Sequence, residues 1–240
     1  MGVRKKPGVI ETGPFLVSLH PTDSLVWLNN AVVNDDSREI ESKDVQAMID
    51  VFLQHERVPR MEIFRELRGP LLELLIQNDF SIESEMPVMV CTPETFDDRP
   101  FKDVRVEILH KDSDPKDYVR IGDIAFEHEA PLTPERLERA RQSLRGGSPW
   151  AAVASIDGTP VAVATLVVSD SVAELAGVGT LSEFRRRGAA SAASAELMRS
   201  FFSHDGRIVW LSAGDSTAQA VYEKLGFKLI GTQVNISRAS

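Results

Sequence analysis

A self-match restricts the folding of this chain more than any other feature. Laid on itself with a fixed offset and no gaps, the sequence pairs each element with one of its own type. Phe80 and Phe227 set the offset at 227 − 80 = 147 residues. On that register LVWLNNAVV (Leu25 to Val33) falls on VAELAGVGT, and SKDVQAMIDVF falls on the alanine-rich stretch that begins at Ala189. MEIF falls on IVWL, and GPLLELLIQNDF falls on the segment ending in YEKLGF. Val45, Met48, Ile49 and Phe52 follow i, i+3, i+4, i+7, so the first copy keeps a core-forming helical face where identities differ. Identity across the offset is low, which leaves chance as the alternative. As a repeat, the first copy begins near its third strand and lacks the front half of the unit. It is then a partial domain leaning on the complete one, because half a sheet cannot bury its own faces.

The complete copy is expected from Val104 onward. VRVEIL has the period of a strand, Pro115 to Glu127 that of a helix, and TPERLERARQSL follows with Thr133 as N-cap and Pro134 at the first helical position. WAAVASIDGTPVAVATLVV predicts a hairpin turning at Asp157-Gly158, with a third strand in SVAELAGVGT. A helix from about Gly188 to Phe202, the strand RIVWLS, a helix from about Ser216 to Leu225 and the extended FKLIGTQVNIS complete the order. The fold class is α/β with a mixed sheet, and the length is that of one domain. The expected division is a partial, degenerate unit at 1–92, a linker at 93–103 built on CTPETFDDRPFKD, and a complete domain at 104–240.

Charge narrows the functions. The 240 residues carry 36 acidic and 27 basic side chains, a formal net charge of −9, which disfavours general attraction to nucleic acid or an anionic membrane. The one cysteine, Cys91, excludes an internal disulfide, and the five histidines show no metal-ligand spacing. No stretch approaches the roughly 20 apolar residues of a membrane span, and the N-terminus lacks the apolar core of a signal peptide, so a cytoplasmic, metal-free protein is expected.

Against that acidic background EFRRRGAASAASAELMRSFF (Glu183 to Phe202) places three arginines directly before a glycine at a helix start. A helix N-terminus presents unpaired N–H groups and partial positive charge, and Gly188, Ala189 and Ala190 let a bulky anion approach the backbone. Strand, basic turn and small-residue helix suit a phosphate or pyrophosphate. Neither G-x-x-x-x-G-K-[ST] nor a full G-x-G-x-x-G is present.

These residues resemble the GNAT superfamily of acetyl-CoA-dependent acyltransferases, whose signature is Gln or Arg, two residues, Gly, one residue, then Gly or Ala. Arg185, Arg186, Arg187, Gly188, Ala189 and Ala190 satisfy it, and AQAVYEKLGF (Ala218 to Phe227) looks like the second signature, one strand later. The resemblance covers Val104 to about Ser237. It implies that the turn from Arg185 to Ala190 holds the pyrophosphate of coenzyme A. It also implies that the preceding strand splays from its neighbour, with Val178, Gly179 and Thr180 binding the pantetheine arm and the acetyl carbonyl. Tyr222 stands where family members carry the tyrosine that protonates the departing thiolate; the alternative is one more apolar contact beside Ala218, Val221 and Leu225. Glu174, inside an apolar run, is the candidate base for the amine, and simple outward alternation on a half-exposed strand is the competing reading. Asp215 replaces the asparagine of many relatives and is expected as a helix cap rather than a ligand. His204 is expected at a helix C-terminus and Cys91 as inert.

The offset supplies an internal control. Gly188 corresponds to Glu41, Ala190 to Lys43, Tyr222 to Leu75 and Glu174 to Trp27, so the first copy is not expected to bind coenzyme A. Its expected service is to cover the catalytic copy and shape the acceptor cleft, with a tethered independent module as the alternative. The resulting expectation is an N-acetyltransferase that uses acetyl-CoA, no metal, and a small-molecule or peptide amine in a direct ternary complex. A non-catalytic acyl-CoA-binding or sensing module is the rival; nucleic-acid binding through Arg185 to Arg187 is weaker, since no aromatic residues interleave with the arginines. The acceptor side is expected in 115–148, where AFEHEAPLTPE is acidic enough to suit a cation. The sequence leaves the acceptor, the acyl-chain preference and the oligomeric state open, a homodimer included.

Overall fold

The computed structural model describes residues 8–20, 28–35, 39–127 and 131–238. Trp27, the offset counterpart of Glu174, and residues 128–130 of the acidic acceptor segment lie outside the described residues. The chain divides into two compact units, Val88–Ile230 and Met1–Pro87 with Gly231–Ser240. No helix among the described residues is long and apolar enough to cross a membrane.

In the Val88–Ile230 unit, the sheet is built from the end of β5 (Ser81–Cys91), β6 (Arg105–Leu109), β7 (Trp150–Ile156), β8 (Thr159–Ser169), β9 (Val172–Thr180) and β10 (Ile208–Ser212). Its order is β5-β10-β9-β8-β7-β6. All neighbours are antiparallel except β9 and β10, which run parallel. The β7–β8 hairpin turns at Asp157 and Gly158, both with positive φ (50° and 78°), as the Asp-Gly pair predicts. The helices are α3 (Lys116–Ala125), α4 (Pro134–Arg145), α5 (Ala189–Ser203) and α6 (Ser216–Glu223).

Two cores follow from the period-two alternation of the strands. Ala152, Ala154, Ala162, Ala164 and Leu166 face α5, whose Ala189, Ala193, Leu197, Met198 and Phe201 are buried against them. Alanine against alanine lets the helix axis approach the sheet closely, and the larger residues fill the space beyond. On the opposite face Ala151, Val153 and Val163 pack with Ile121 of α3, Leu109 and Leu181. Residues 93–103, whose prolines and acids read as a linker, lie against this unit. Phe96 and Phe101 pack on its α5-side core, and the Asp97 N–H donates to the Leu225 carbonyl at 3.1 Å.

The other unit contains β1 (Val9–Thr12), β2 (Phe15–Ser18), β3 (Asn30–Val33), α1 (Ser42–Gln54), β4 (Arg60–Phe64), α2 (Arg65–Gln77), the start of β5 and the end of β11 (Lys228–Ser237). The β1–β2 hairpin ahead of β3 is absent from the sequence reading. Its strands are four residues each, too short for a period, and Gly13 (φ 52°) supplies the turn. Phe15, Val17, Met48, Ile49, Phe52, Met61 and Leu75 form the core, with Val234 and Ile236 of β11 inserted beside them. β11 pairs antiparallel with β4, from Gln233 opposite Phe64 to Ser237 opposite Arg60.

Candidate active site

After β9, one 3-10 turn (Ser182–Phe184) leads into Arg185, and the backbone then turns left-handed twice within three residues, at Arg186 (φ 63°) and Gly188 (φ 81°). A turn with two left-handed residues so close together presents backbone N–H groups in an arrangement that suits an anion. Gly188 is the N-cap of the 15-residue α5, with no side-chain capping bond and no acid in the first turn. The first bond inside the helix runs from the Ala192 N–H to the Gly188 carbonyl. The amides of Ala189, Ala190 and Ser191 therefore stand at the positive end of the helix without an intrahelical partner. Arg185 and Arg186 are exposed and make no ion pair among the described residues. Arg187 lies 3.8 Å from Asp157, with its guanidinium 5.7 Å from the Phe184 ring centre. A Cβ at Gly188 would meet only the Phe101 ring, at an ordinary 3.5 Å, so glycine is required there by φ rather than by space. Helix-start amides flanked by two cations that make no ion pair among the described residues suit a pyrophosphate.

The strand entering this turn has two irregularities. Its ladder with β10 covers only Val172–Glu174 against Ile208–Trp210, while β9 continues through Leu175–Thr180. A divergence of this kind leaves backbone groups along one edge of Val178, Gly179 and Thr180 for a ligand. On its other edge β9 bulges against β8: Val163 pairs with Gly179 and Thr165 with Ala176, so three steps on one strand meet two on the other. The extra residue is Gly177, at φ 56°, where a Cβ would lie 3.1 Å from the Thr165 hydroxyl. The bulge resets the alternation: Leu175 and Val178 face the α5 core, whereas a Cβ at Gly179 would lie 2.6 Å from that of Ala125, so α3 closes over it.

Glu174 is half-buried and sits between Ala173 and Leu175, which both face α5. Its own side therefore belongs to the α3 face, two residues along β9 from Ala176, the partner of Thr165. That is about 7 Å along the strand. Tyr222 packs against the α5-side core, its ring 5.7 Å from that of Phe227 in an edge-to-face arrangement. Burial pushes its phenol up to about 12. Its hydroxyl makes no hydrogen bond among the described residues. Val178, Ala189, Ala190 and Tyr222 thus adjoin one cluster, while Glu174 and Gly179 belong to the other face of the same strand.

Asp215 caps α6 as expected, accepting from the Ala218 N–H at 2.7 Å. His204 follows the last residue of α5, its Nδ1 2.8 Å from the Ser200 carbonyl oxygen. Cys91 is fully buried, and that burial pushes its thiol up. Sequence reasoning missed the pair on the α3 face: the Tyr118 hydroxyl lies 2.7 Å from that of Thr165, under the bulge. It also missed Asp123 on α3, whose two oxygens accept from Arg136 at 2.7 and 2.8 Å. Only the positive φ tolerated by Gly177 could have hinted at the first, and nothing in the letters at the second. No group of three or more His, Cys, Asp or Glu suited to a metal occurs among the described residues.

In the other unit the start of α1, which the 147-residue offset sets against Gly188, is closed by its own carboxylates. Glu41 is the N-cap of α1 in a reciprocal capping box with Asp44, whose Oδ2 accepts from the Glu41 N–H at 2.9 Å. Lys43 lies 2.6 Å from the Glu41 carboxylate, and Leu75, which the offset sets against Tyr222, is fully buried.

Comparison with known proteins places a family model described as the acetyltransferase (GNAT) family on residues 111–227. Among solved structures, a GCN5-related N-acetyltransferase from Kribbella flavida is similar at 25% identity and a TM-score of 0.78, over 97% of this chain and 89% of that one. One from Sphaerobacter thermophilus is similar at 17% identity and a TM-score of 0.70, over 94% and 76%. A tandem GNAT protein from the clavulanic acid biosynthesis pathway is similar at 14% identity and a TM-score of 0.67, over 93% and 77%. No curated protein matches.

Proposed function

We propose, from the match of the acetyltransferase (GNAT) family model to residues 111–227, that the chain is a member of that family and transfers an acetyl group from acetyl-CoA to a primary amine in a direct ternary complex. The observation that carries the reading is the start of α5, uncapped by any side chain and preceded by the left-handed Arg186 and Gly188, with Arg185 and Arg186 making no ion pair among the described residues. In this reading the amides of Gly188, Ala189 and Ala190 hold the pyrophosphate, Arg185 to Arg187 add charge, and the free edge of Val178–Thr180 takes the pantetheine arm.

Thr180 donates its backbone N–H to the thioester carbonyl oxygen, where negative charge develops as the amine nitrogen attacks. Glu174 takes the proton of the incoming ammonium, directly or through water, since only the neutral amine has a lone pair to donate. The C–N bond forms first, the oxyanion then collapses as the C–S bond breaks, Tyr222 gives its phenolic proton to the leaving sulfur, and the proton that the nitrogen loses on becoming an amide restores the phenol through water. At neutral pH that proton is always present, because burial holds the phenol at about 12.

We further propose that the first unit is a degenerate copy of the second. Under the 147-residue offset α1, starting at Ser42, lands on the start of α5 (42 + 147 = 189), and β5, starting at Ser81, lands on the start of β11 (81 + 147 = 228). The tandem arrangement of the clavulanic acid pathway protein, which shares the fold over 93% of the chain, supports the same reading. Glu41 and Asp44 fill the position that the second copy leaves open, so this copy would carry no coenzyme A.

Thermal melting with acetyl-CoA, in wild type and in Gly188→Glu, tests the assignment. At a hundredfold excess over Kd the wild type should gain about 2.7 kcal/mol, and the variant, with a carboxylate at the start of α5, should gain nothing. A folded wild type unmoved by concentrated acetyl-CoA would reduce the likeness to one of fold. Acetylation of an amine panel then separates an enzyme from a non-catalytic binder.

A further inference from the structure

The α3 face of the second unit holds a cavity of about 230 Å3 lined by Tyr118, Val119, Gly122, Asp123, Phe126, Val163 and Gly177. It opens at the β9 bulge, one residue before Val178, on the strand face that also carries Glu174. A cavity of about 150 Å3 is enough for a benzene ring, so this one has room for a ring or a branched aliphatic group.

Its polar side chains are already committed. Both oxygens of Asp123 accept from Arg136, with side-chain exposures of 17% and 24% for the acid and the base. The Tyr118 hydroxyl is engaged with Thr165, itself only 8% exposed. A cation entering the cavity would have to break the Arg136 pair and leave the guanidinium behind, which is costly when the groups are mostly out of water. What remains for a ligand is the surface of Val119 and Phe126 and the space above Gly122, where an added Cβ would meet nothing within 4 Å.

From this lining we infer that the acceptor is a primary amine on an apolar, ring-sized body, and not the polycation suggested by the acidic letters of the neighbouring segment. The inference rests on the acyltransferase reading above for the word acceptor. The apolar body fills the cavity against α3, and the amine extends past Gly177 toward the acyl site and Glu174.

Calorimetric titration of the full chain with 2-phenylethylamine and with spermidine, with and without saturating acetyl-CoA, tests the inference in wild type and Gly122→Leu. The wild type should bind 2-phenylethylamine at least tenfold more tightly than spermidine. Gly122→Leu, whose side chain enters the cavity from a helix that favours leucine over glycine, should weaken 2-phenylethylamine at least tenfold and leave acetyl-CoA affinity unchanged. Spermidine binding as tightly as 2-phenylethylamine, or a Gly122→Leu variant that binds 2-phenylethylamine normally, would overturn it. Selective binding of 2-phenylethylamine without N-acetylated product when acetyl-CoA is bound would instead count against the catalytic reading and leave the cavity's preference standing.

Discussion

Tyr222 carries the sharpest consequence at the level of single residues. Its phenol rises from 10.0 to about 12 because burial penalises the phenolate. A raised folded value means that its stability contribution is complete below pH 10 and is lost as the pH climbs through 12. Two units correspond to roughly 2.7 kcal/mol, so wild type should lose about that much more than Tyr222→Phe between pH 9 and pH 12 in urea unfolding. The same substitution separates acid from packing: phenylalanine keeps the contact with Phe227 and lacks the proton. As an acid, Tyr222 predicts that kcat falls by about 10²–10⁴ with acetyl-CoA affinity unchanged, whereas mere packing predicts an unchanged kcat. Gly188 and the arginines stand out in the letters because a basic turn at the start of a small-residue helix suits an anion, whereas Tyr222 stands out only through the family resemblance. The letters could not give the left-handed Arg186, a conformation that arginine seldom adopts and that depends on the turn around it.

Elements show why some segments were legible and others were not. Helices α4, α5 and α6 begin at Pro134, Ala189 and Ser216, where Thr133, Gly188 and Asp215 announce them through capping and turn chemistry that acts within a few residues. The bulge in β9 depends on β8 and α3, partners far away in sequence, and the apolar alternation through VAELAGVGT does not reveal it. The segment 93–103 is a similar case: its composition suits a linker, yet it is strapped to the α6–β11 turn. Gly226 in that turn has φ 94°, and a Cβ there would lie 1.9 Å from the Thr95 carbonyl oxygen. Backbone cannot yield as a flexible side chain can, and left-handed geometry adds about 1–2 kcal/mol for any residue with a Cβ. Gly226→Ala should therefore destabilise the protein by about 3 kcal/mol or more, read as a lowered urea midpoint, while Gly147→Ala, also at positive φ but with open space around it, should cost only the conformational part.

On the scale of the molecule, the last strand of each proposed copy completes the sheet of the unit that contains the other. β5 ends the first copy, and its residues Val88–Cys91 pair with β10 inside the second unit; β11 ends the second copy, and its residues Gln233–Ser237 pair with β4 inside the first unit. The letters give the extended FKLIGTQVNIS but neither β5 nor the exchange, because strand partners are chosen by three-dimensional closure and not by order in the chain. The exchange moves the energetic boundary away from any linker: Val234 and Ile236, near the C-terminus, are fully buried among Phe15, Met48, Phe52 and Met61. Ile236 lies opposite Met61 in the ladder, so a charge there would sit in the core of the first unit with no partner in reach. Ile236→Asp should cost more than about 4 kcal/mol, and the cost should fall on a unit remote in sequence. Amide hydrogen exchange would read it: protection should collapse in α1 and β4 and persist in α5, β7 and β8. Loss confined to the second unit would mean that β11 belongs energetically with its own copy, and that the pairing with β4 contributes little to what holds the first unit together.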